Sequence, residues 1–162
     1  MTSDDLEIID SGADFSADRK YRYSLWRVWD KSLPKVMYIG LNPSTANEIK
    51  NDPTVKSCMR IAKSNGYGGI YMMNCYAFIS TDPKLLILNP AEDELNNVKL
   101  KEISEICETI VFAWGNFEVA KSRGLELLNI FPDAMALTVN KSGSPKHPLY
   151  CKSDTKFIKY NL

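Results

Sequence analysis

Four polar clusters in this chain each follow directly on a short apolar run, and they hold the side chains best suited to handling a polar ligand. Val36-Met37-Tyr38-Ile39 leads into Gly40-Leu41-Asn42-Pro43-Ser44. Ile70-Tyr71-Met72-Met73 leads into Asn74. Ile110-Val111-Phe112-Ala113 leads into Trp114-Gly115-Asn116. Met135-Ala136-Leu137-Thr138 leads towards the only histidine, in Lys146-His147-Pro148-Leu149-Tyr150. An amide donates and accepts hydrogen bonds at once, so Asn42 and Asn74 can read the edge of a polar ligand. An imidazole holds or releases a proton near neutral pH, which suits His147 to proton handling. Lys141 and Lys146 flank that histidine in sequence and can attract phosphate.

These groups can act together only if the four runs are neighbouring strands. In an open parallel sheet the carboxyl ends of the strands share one rim, and ligands bind there. Helical segments separate the runs. Asp52 is an N-cap with Pro53 at the first helical position, Gly66 closes that helix, and Val55, Met59 and Ala62 mark its buried stripe. Asn89-Pro90 opens a longer helix with the stripe Leu95, Val98, Ile103 and Ile106. A third helix is expected over about 116–129, and a last short one over 154–160. A helical turn at Leu85-Leu86 lies between.

The alternation predicts an α/β three-layer sandwich around a central, mostly parallel sheet of about four core strands. The strands are continuously apolar, as expected when both faces are covered. Tyr21 to Trp29 reads as an N-terminal edge strand or hairpin. Residues 1–19 are expected to be an acidic, weakly specified arm, with a short strand at 6–9. Arg22 and Arg27 lie five apart, so strand alternation sends them to opposite faces and they cannot both point to one ligand; one of them can reach the rim, and edge-strand charge is the slightly favoured role.

At 162 residues the chain is expected to be one domain, residues 1–162. No apolar run approaches the length of a membrane span, and the acidic N-terminus is unlike a signal peptide, so a cytoplasmic location is the default and no membrane partner is expected. Cys58, Cys75, Cys107 and Cys151 lack metal-finger spacing; they are expected to be reduced, with Cys58 and Cys107 on apolar helix faces, and no metal or cofactor is expected. Twenty basic and twenty acidic residues balance, so the whole molecule is no polyanion binder. Charge is unevenly placed, however. Six acids and no base fall in the first eighteen residues, whereas Lys141, Lys146, Lys152, Lys156 and Lys159 face only Asp154 near the C-terminus.

Tyr21-Arg22-Tyr23, Trp29, Asn42-Pro43-Ser44-Thr45, Asp52-Pro53-Thr54, Thr81-Asp82-Pro83, Trp114-Gly115 and His147-Pro148-Leu149-Tyr150 together resemble the family called domain of unknown function 1643. A more distant resemblance is to the uracil-DNA glycosylase superfamily. Gly40-Leu41-Asn42-Pro43 is similar to its first motif, Asn74 to its base-reading asparagine, Phe112-Ala113-Trp114-Gly115 to its Trp-Gly strand end, and His147-Pro148 to its C-terminal His-Pro loop. Ser44-Thr45 stands where known branches shape the base pocket, and there is no clear equivalent of the aromatic residue that stacks on the base.

The superfamily resemblance implies cleavage of an N-glycosidic bond. Asn42 would place a water, His147 would support the leaving base, and Asn74 would hold a uracil-like edge. Gly40, Leu41, Pro43, Ser44 and Trp114 would shape the substrate site. Leu149 and Tyr150 would wedge where a base is extruded, and Lys141 and Lys146 would hold phosphates. Plainer roles exist for several of these residues. Asn42-Pro43 is also a turn, Asn74 a strand cap, Trp114-Gly115 packing and a tight turn, and Asp52 and Asp82 caps or turn formers. The residues support three functional readings, in order: a glycosidic hydrolase acting on nucleic acid or a nucleotide; a binder or enzyme for a nucleotide-like small molecule with different chemistry; and a non-catalytic nucleic-acid or protein-binding module.

Overall fold

The computed structural model describes residues 7–82, 86 and, with side chains from 93, 90–160. Among the described residues seven strands form one mixed sheet in the order β1-β2-β4-β3-β5-β6-β7. They are β1 Asp10–Phe15, β2 Arg22–Val28, β3 Lys35–Gly40, β4 Gly69–Asn74, β5 Thr109–Phe112, β6 Met135–Ala136 and β7 Ile158–Lys159. The helices are α1 Pro53–Ser64, α2 Pro90–Ser104 and α3 Lys121–Ile130. The neighbours β4-β3-β5-β6 are parallel, while β1–β2, β2–β4 and β6–β7 pair antiparallel. A mostly parallel sheet thus describes the centre alone.

Successive residues of β3 serve opposite faces. Val36 and Tyr38 pack with Val55, Cys58, Met59, Ile61 and Ala62 of α1. Met37 and Ile39 pack with Leu100 of α2 and Leu127 of α3. All four strand residues are fully buried, which explains the unbroken apolar run. The chain leaves β3 for β4 on one side and later returns to β5 on the other. The carboxyl end of β3 is therefore the point where strand order reverses, the place at which an open α/β sheet opens a crevice.

α1 starts as its sequence dictates: the Asp52 carboxylate accepts from the Val55 N–H at 2.9 Å, and Pro53 occupies the first turn. Several other elements depart from expectation. β2 lies inside the sheet, hairpinned to β1 and paired with β4, so its arginines are not edge charges. Residues 10–15 of the supposed arm form β1, recruited by the open edge of β2 despite lacking a period-two apolar pattern. Residues 7–9 are not a strand, though the Ile9 N–H still reaches the Val28 carbonyl at 2.8 Å.

Among the described side chains of α2 the buried ones are Asn96 and Leu100; of the expected stripe Ile103 packs partly buried on the core, while Leu95 and Val98 are exposed. The Asn96 amide turns inward to bond the Asn74 carbonyl at 2.9 Å, and this polar anchor overrides the apolar stripe. α2 ends at Ser104, so Ile106 and Cys107 lie beyond it. Residues 118–120 form a 3-10 turn before α3. The last expected helix is instead β7, which satisfies the edge of β6. All four cysteines are free. The turn at Leu85-Leu86 and the cap at Asn89 fall largely outside the described residues; Leu86 itself is buried. Among the described residues no helix is long and apolar enough to cross a membrane.

Candidate ligand pocket at the switch point

A pocket of about 250 Å³ opens at the carboxyl end of β3. Its walls come from five separated stretches: Gly40–Ser44, the α1 start at Asp52, Thr54 and Val55, Asn74, Ala113 with Phe117, and His147 with Pro148. Arg22, Met72, Ser80 and Thr81 complete it. Asn42, Asn74 and His147 thus line one cavity, although the chain separates the first and last by more than half its length.

The strand pairing of β3 and β4 continues into the rim, where Cys75 N–H reaches the Gly40 carbonyl at 2.8 Å and Tyr76 N–H the Leu41 carbonyl at 3.0 Å. Behind it, Asn96 and Arg123 hold the Asn74 and Cys75 carbonyls. The backbone of Asn74 is therefore fixed, and its side chain is 4 % exposed. The Nδ2 of that side chain is buried with no acceptor among the described residues. Gly40 is what lets the amide lie there, since a Cβ at this position would come within 3.0 Å of Asn74 Oδ1.

Asn42 is tied down differently. Its Nδ2 donates to the Ser80 carbonyl at 2.7 Å, with the Phe78 and Pro43 carbonyls at 3.3 and 3.2 Å. The amide thus staples the β3 loop to the 78–80 loop, and its Oδ1 is the atom left to address a ligand.

Gly115 turns the chain after β5 with a φ of 78°, a left-handed conformation that favours glycine. Its N–H bonds the Pro145 carbonyl at 3.0 Å, which draws the His147 loop against the end of β5. His147 Nδ1 accepts from the Leu149 N–H at 3.2 Å. That bond places the remaining ring proton on Nε2. Burial lowers the His147 pKa below its ordinary value of 6.5, against an opposing pull from Asp52. At neutral pH His147 is therefore an uncharged Nε2–H donor.

The sequence model of a family described as "Protein of unknown function (DUF1643)" matches residues 22–149. The chain belongs to that family. No curated protein matches it.

The remaining candidate residues of this DUF1643 chain fall into two other places. Lys141, Lys146, Leu149 and Tyr150 line a second, shallower groove of about 570 Å³, which shares Phe117 and His147 with the pocket. Leu149 and Tyr150 are 46 % and 75 % exposed, so that groove carries apolar groups in water beside two lysines. The lysine excess does not form one patch, however: Lys156 lines a separate hollow by Thr109, at the opposite rim of the sheet.

Trp114 is a correction. It is 3 % exposed, lies tilted against Phe112 with ring centres 4.5 Å apart, and packs so closely on Gly124 of α3 that a Cβ there would meet the ring at 2.8 Å. It belongs to the core and does not line the pocket.

Four residues of the pocket escaped functional reading. Asp52 is the cap expected of it and also a carboxylate in the wall. Thr54 follows in the same turn. Phe117, three residues past Trp114, puts an aromatic ring at the mouth. Arg22 is the fourth. Alternation predicts that Arg22 and Arg27 diverge, yet both grip the 46–51 segment: Arg22 Nη1 bonds the Ala46 carbonyl at 3.0 Å and Arg27 Nη2 the Asn47 carbonyl at 2.6 Å. Arg22 is the first residue of β2, at the rim, where the sheet face does not confine its side chain. Among the described residues no cluster of three His, Cys, Asp or Glu side chains could hold a metal.

Proposed function

We propose that this chain is a uracil-DNA-glycosylase-like hydrolase that cleaves the N-glycosidic bond of a base in nucleic acid or in a nucleotide. The observation that carries this reading is the buried Asn74 Nδ2, a donor without an acceptor among the described residues, in a cavity shared with Asn42 and neutral His147. A buried amide left unpaired costs roughly 1–3 kcal/mol, so its partner is sought in the ligand. The pocket lies just below the roughly 300–1,000 Å³ typical of ligand sites, a size suited to a single base rather than a longer stretch of nucleic acid.

In the reaction, the carbon–nitrogen bond breaks with its electrons leaving on the base, and a water oxygen bonds the sugar carbon. The water gives up one proton, and the base ends protonated. Asn42 Oδ1 orients that water; an amide is no general base, so the expected rate is modest. His147 Nε2–H donates to the base oxygen on which negative charge develops. Asn74 holds the base edge by donating from Nδ2 and accepting at Oδ1. Phe117 offers a ring against the flat face of the base. Outside the pocket, Lys141 and Lys146 hold phosphates, and Leu149 and Tyr150 fill the gap left by an extruded base.

A second reading, a pocket for a free nucleotide-like ligand with different chemistry, is favoured by the zero net charge of the chain. A product assay separates the two. Oligonucleotides carrying uracil, hypoxanthine, oxidised or hypermodified pyrimidines are incubated with the protein, and abasic sites and released base are measured. Release of base from any of them supports the hydrolase. Binding of mononucleotides without release from any substrate supports the second reading.

A further inference from the structure

We infer that Arg22 is an oxyanion-binding residue, and that the ligand of this pocket carries a phosphate or carboxylate which Arg22 engages beside the first turn of α1. This concerns the charge of the ligand and stands whether or not a glycosidic bond is cut.

The side chain of Arg22 is 3 % exposed, yet among the described residues its guanidinium has one hydrogen-bond partner, the Ala46 carbonyl. Its Nε is buried with no acceptor. No carboxylate of a described residue forms an ion pair with it. A buried guanidinium is ordinarily matched by an anion and by acceptors for its fork of donors. A further observation places the missing anion in the pocket. Arg22 and Asn74 both line the cavity, and each holds one buried donor without an acceptor among the described residues. The first turn of α1, a helix of twelve residues, lines the same cavity through Thr54 and Val55, with its N-terminus already capped by the Asp52 carboxylate at the Val55 N–H.

Asp52 is the opposing charge in the wall. Its Oδ1 is committed to the Val55 N–H, and Arg27 stands close enough to share its field. Burial lowers the Arg22 pKa to about 10, so the side chain is still a cation at neutral pH. In the pocket lining Arg22 faces the single carboxylate of Asp52, and Arg27, outside the lining, is shared by Asp52 and Glu48.

The test uses the full chain labelled with nitrogen-15 and follows the Arg22 Nε–H signal. Inorganic phosphate is titrated first. Uridine is then compared with uridine 5′-monophosphate, and uracil with orotate. The expected result is a saturable shift of the Arg22 signal and at least about tenfold tighter binding of the charged member of one pair, the strength of a charge-assisted hydrogen bond. A gain with the monophosphate assigns a phosphate; a gain with orotate assigns a carboxylate on the base. Arg22→Gln should abolish the gain. Should Arg22→Gln fail to fold, the wild-type titrations decide alone. An Arg22 signal that no anion moves, or a gain that leaves that signal unmoved, overturns the assignment. Loss of base release with the anion response intact would instead count against the hydrolase reading only.

Discussion

Two buried arginines lie on either side of the same strand end, and their surroundings differ sharply. Arg123 in α3 is 6 % exposed, and each of its three nitrogens has a partner: Nε donates to the Cys75 carbonyl at 2.9 Å, Nη2 to Asn97 Oδ1 at 2.6 Å, and Nη1 pairs with Glu126 at 3.0 Å. Arg22, on the pocket side, has one backbone carbonyl. The first is scaffold: it pins the end of β4 from behind. The second is unfinished until something enters the pocket. Asn96 and Asn74 differ in their amide donors, although Asn96 Oδ1 is also buried without a partner among the described residues. The Asn96 Nδ2 is used to hold the Asn74 backbone, while the Asn74 Nδ2 has no partner among the described residues. Unmatched buried donors mark the ligand side, and matched ones mark the side that holds it in place.

The largest expected effect belongs to the pocket. His147→Ala should lower base release by roughly 10²–10³-fold, the usual loss when one donor to a developing anion is removed. Ligand binding should change far less, because that hydrogen bond strengthens only as charge develops. Single-turnover release and equilibrium binding measured side by side check this; equal losses in both would make the loop structural.

Stability should divide the other way. Arg123→Met leaves the Cys75 carbonyl without its guanidinium donor and should destabilise the fold by about 1–3 kcal/mol. Arg22→Met also leaves a carbonyl, that of Ala46, without its donor, but it removes one hydrogen bond where Arg123→Met removes two and an ion pair, so its cost should be the smaller, about 1 kcal/mol. Urea denaturation midpoints of the two variants give the answer, and equal destabilisation would break the comparison between the arginines.

A smaller change sharpens it. Gly40→Ala places a methyl group within 3.0 Å of Asn74 Oδ1. Moving that amide off its rotamer costs about 0.5–1.5 kcal/mol, which corresponds to roughly a 2–12-fold loss of affinity for a base. Binding titration should show this with the melting temperature nearly unchanged.

The smallest effect is in pH dependence. The His147 pKa is lowered in the folded chain, so below 6.5 the unfolded chain binds more protons than the folded one. The resulting contribution to stability is full above 6.5 and declines as pH falls through the lowered folded value. Protonation would also turn Nδ1 into a donor facing the Leu149 N–H. As the only histidine, its NMR titration is unambiguous, and a midpoint at or above 6.5 would contradict the burial of its ring.

Much of this architecture is legible from the chain. The runs at 36–39, 70–73 and 110–113 are strands because their apolar continuity requires two covered faces, and Asp52-Pro53 starts a helix because cap and first-turn chemistry are local. The polar clusters after parallel strands are then bound to gather at one rim. The rest depends on contacts between distant segments. The inward turn of Asn96 answers a carbonyl of β4, which no helical period reveals. β1 and β7 exist because β2 and β6 offered unpaired edges, and their own sequences, Asp10–Phe15 and Ile158–Lys159, carry little strand signal. Trp114 lies one residue beyond the level of Asn74, which Ala113 occupies, so it shares the face of Phe112 and packs on Gly124. Arg22 is obscured by the alternation rule, which fails at the first residue of a strand.

The most direct test lies at Asn74. An amide presents a donor and an acceptor, matching the O4 acceptor and N3–H donor of a uracil-like edge, whereas an ionised Asp only accepts. Asn74→Asp sets acceptor against acceptor in a buried site, at roughly 1–3 kcal/mol or more with charge. A cytosine-like edge meets the same conflict, because its N3 is an acceptor, so the change should weaken both edges. Binding and base release are measured for uracil-like and cytosine-like ligands with wild type and Asn74→Asp. The expected result is a loss of at least about fivefold for either edge in Asn74→Asp; binding and base release unchanged from the wild type would show that Asn74 does not touch the base and would contradict the pocket as the site of base recognition.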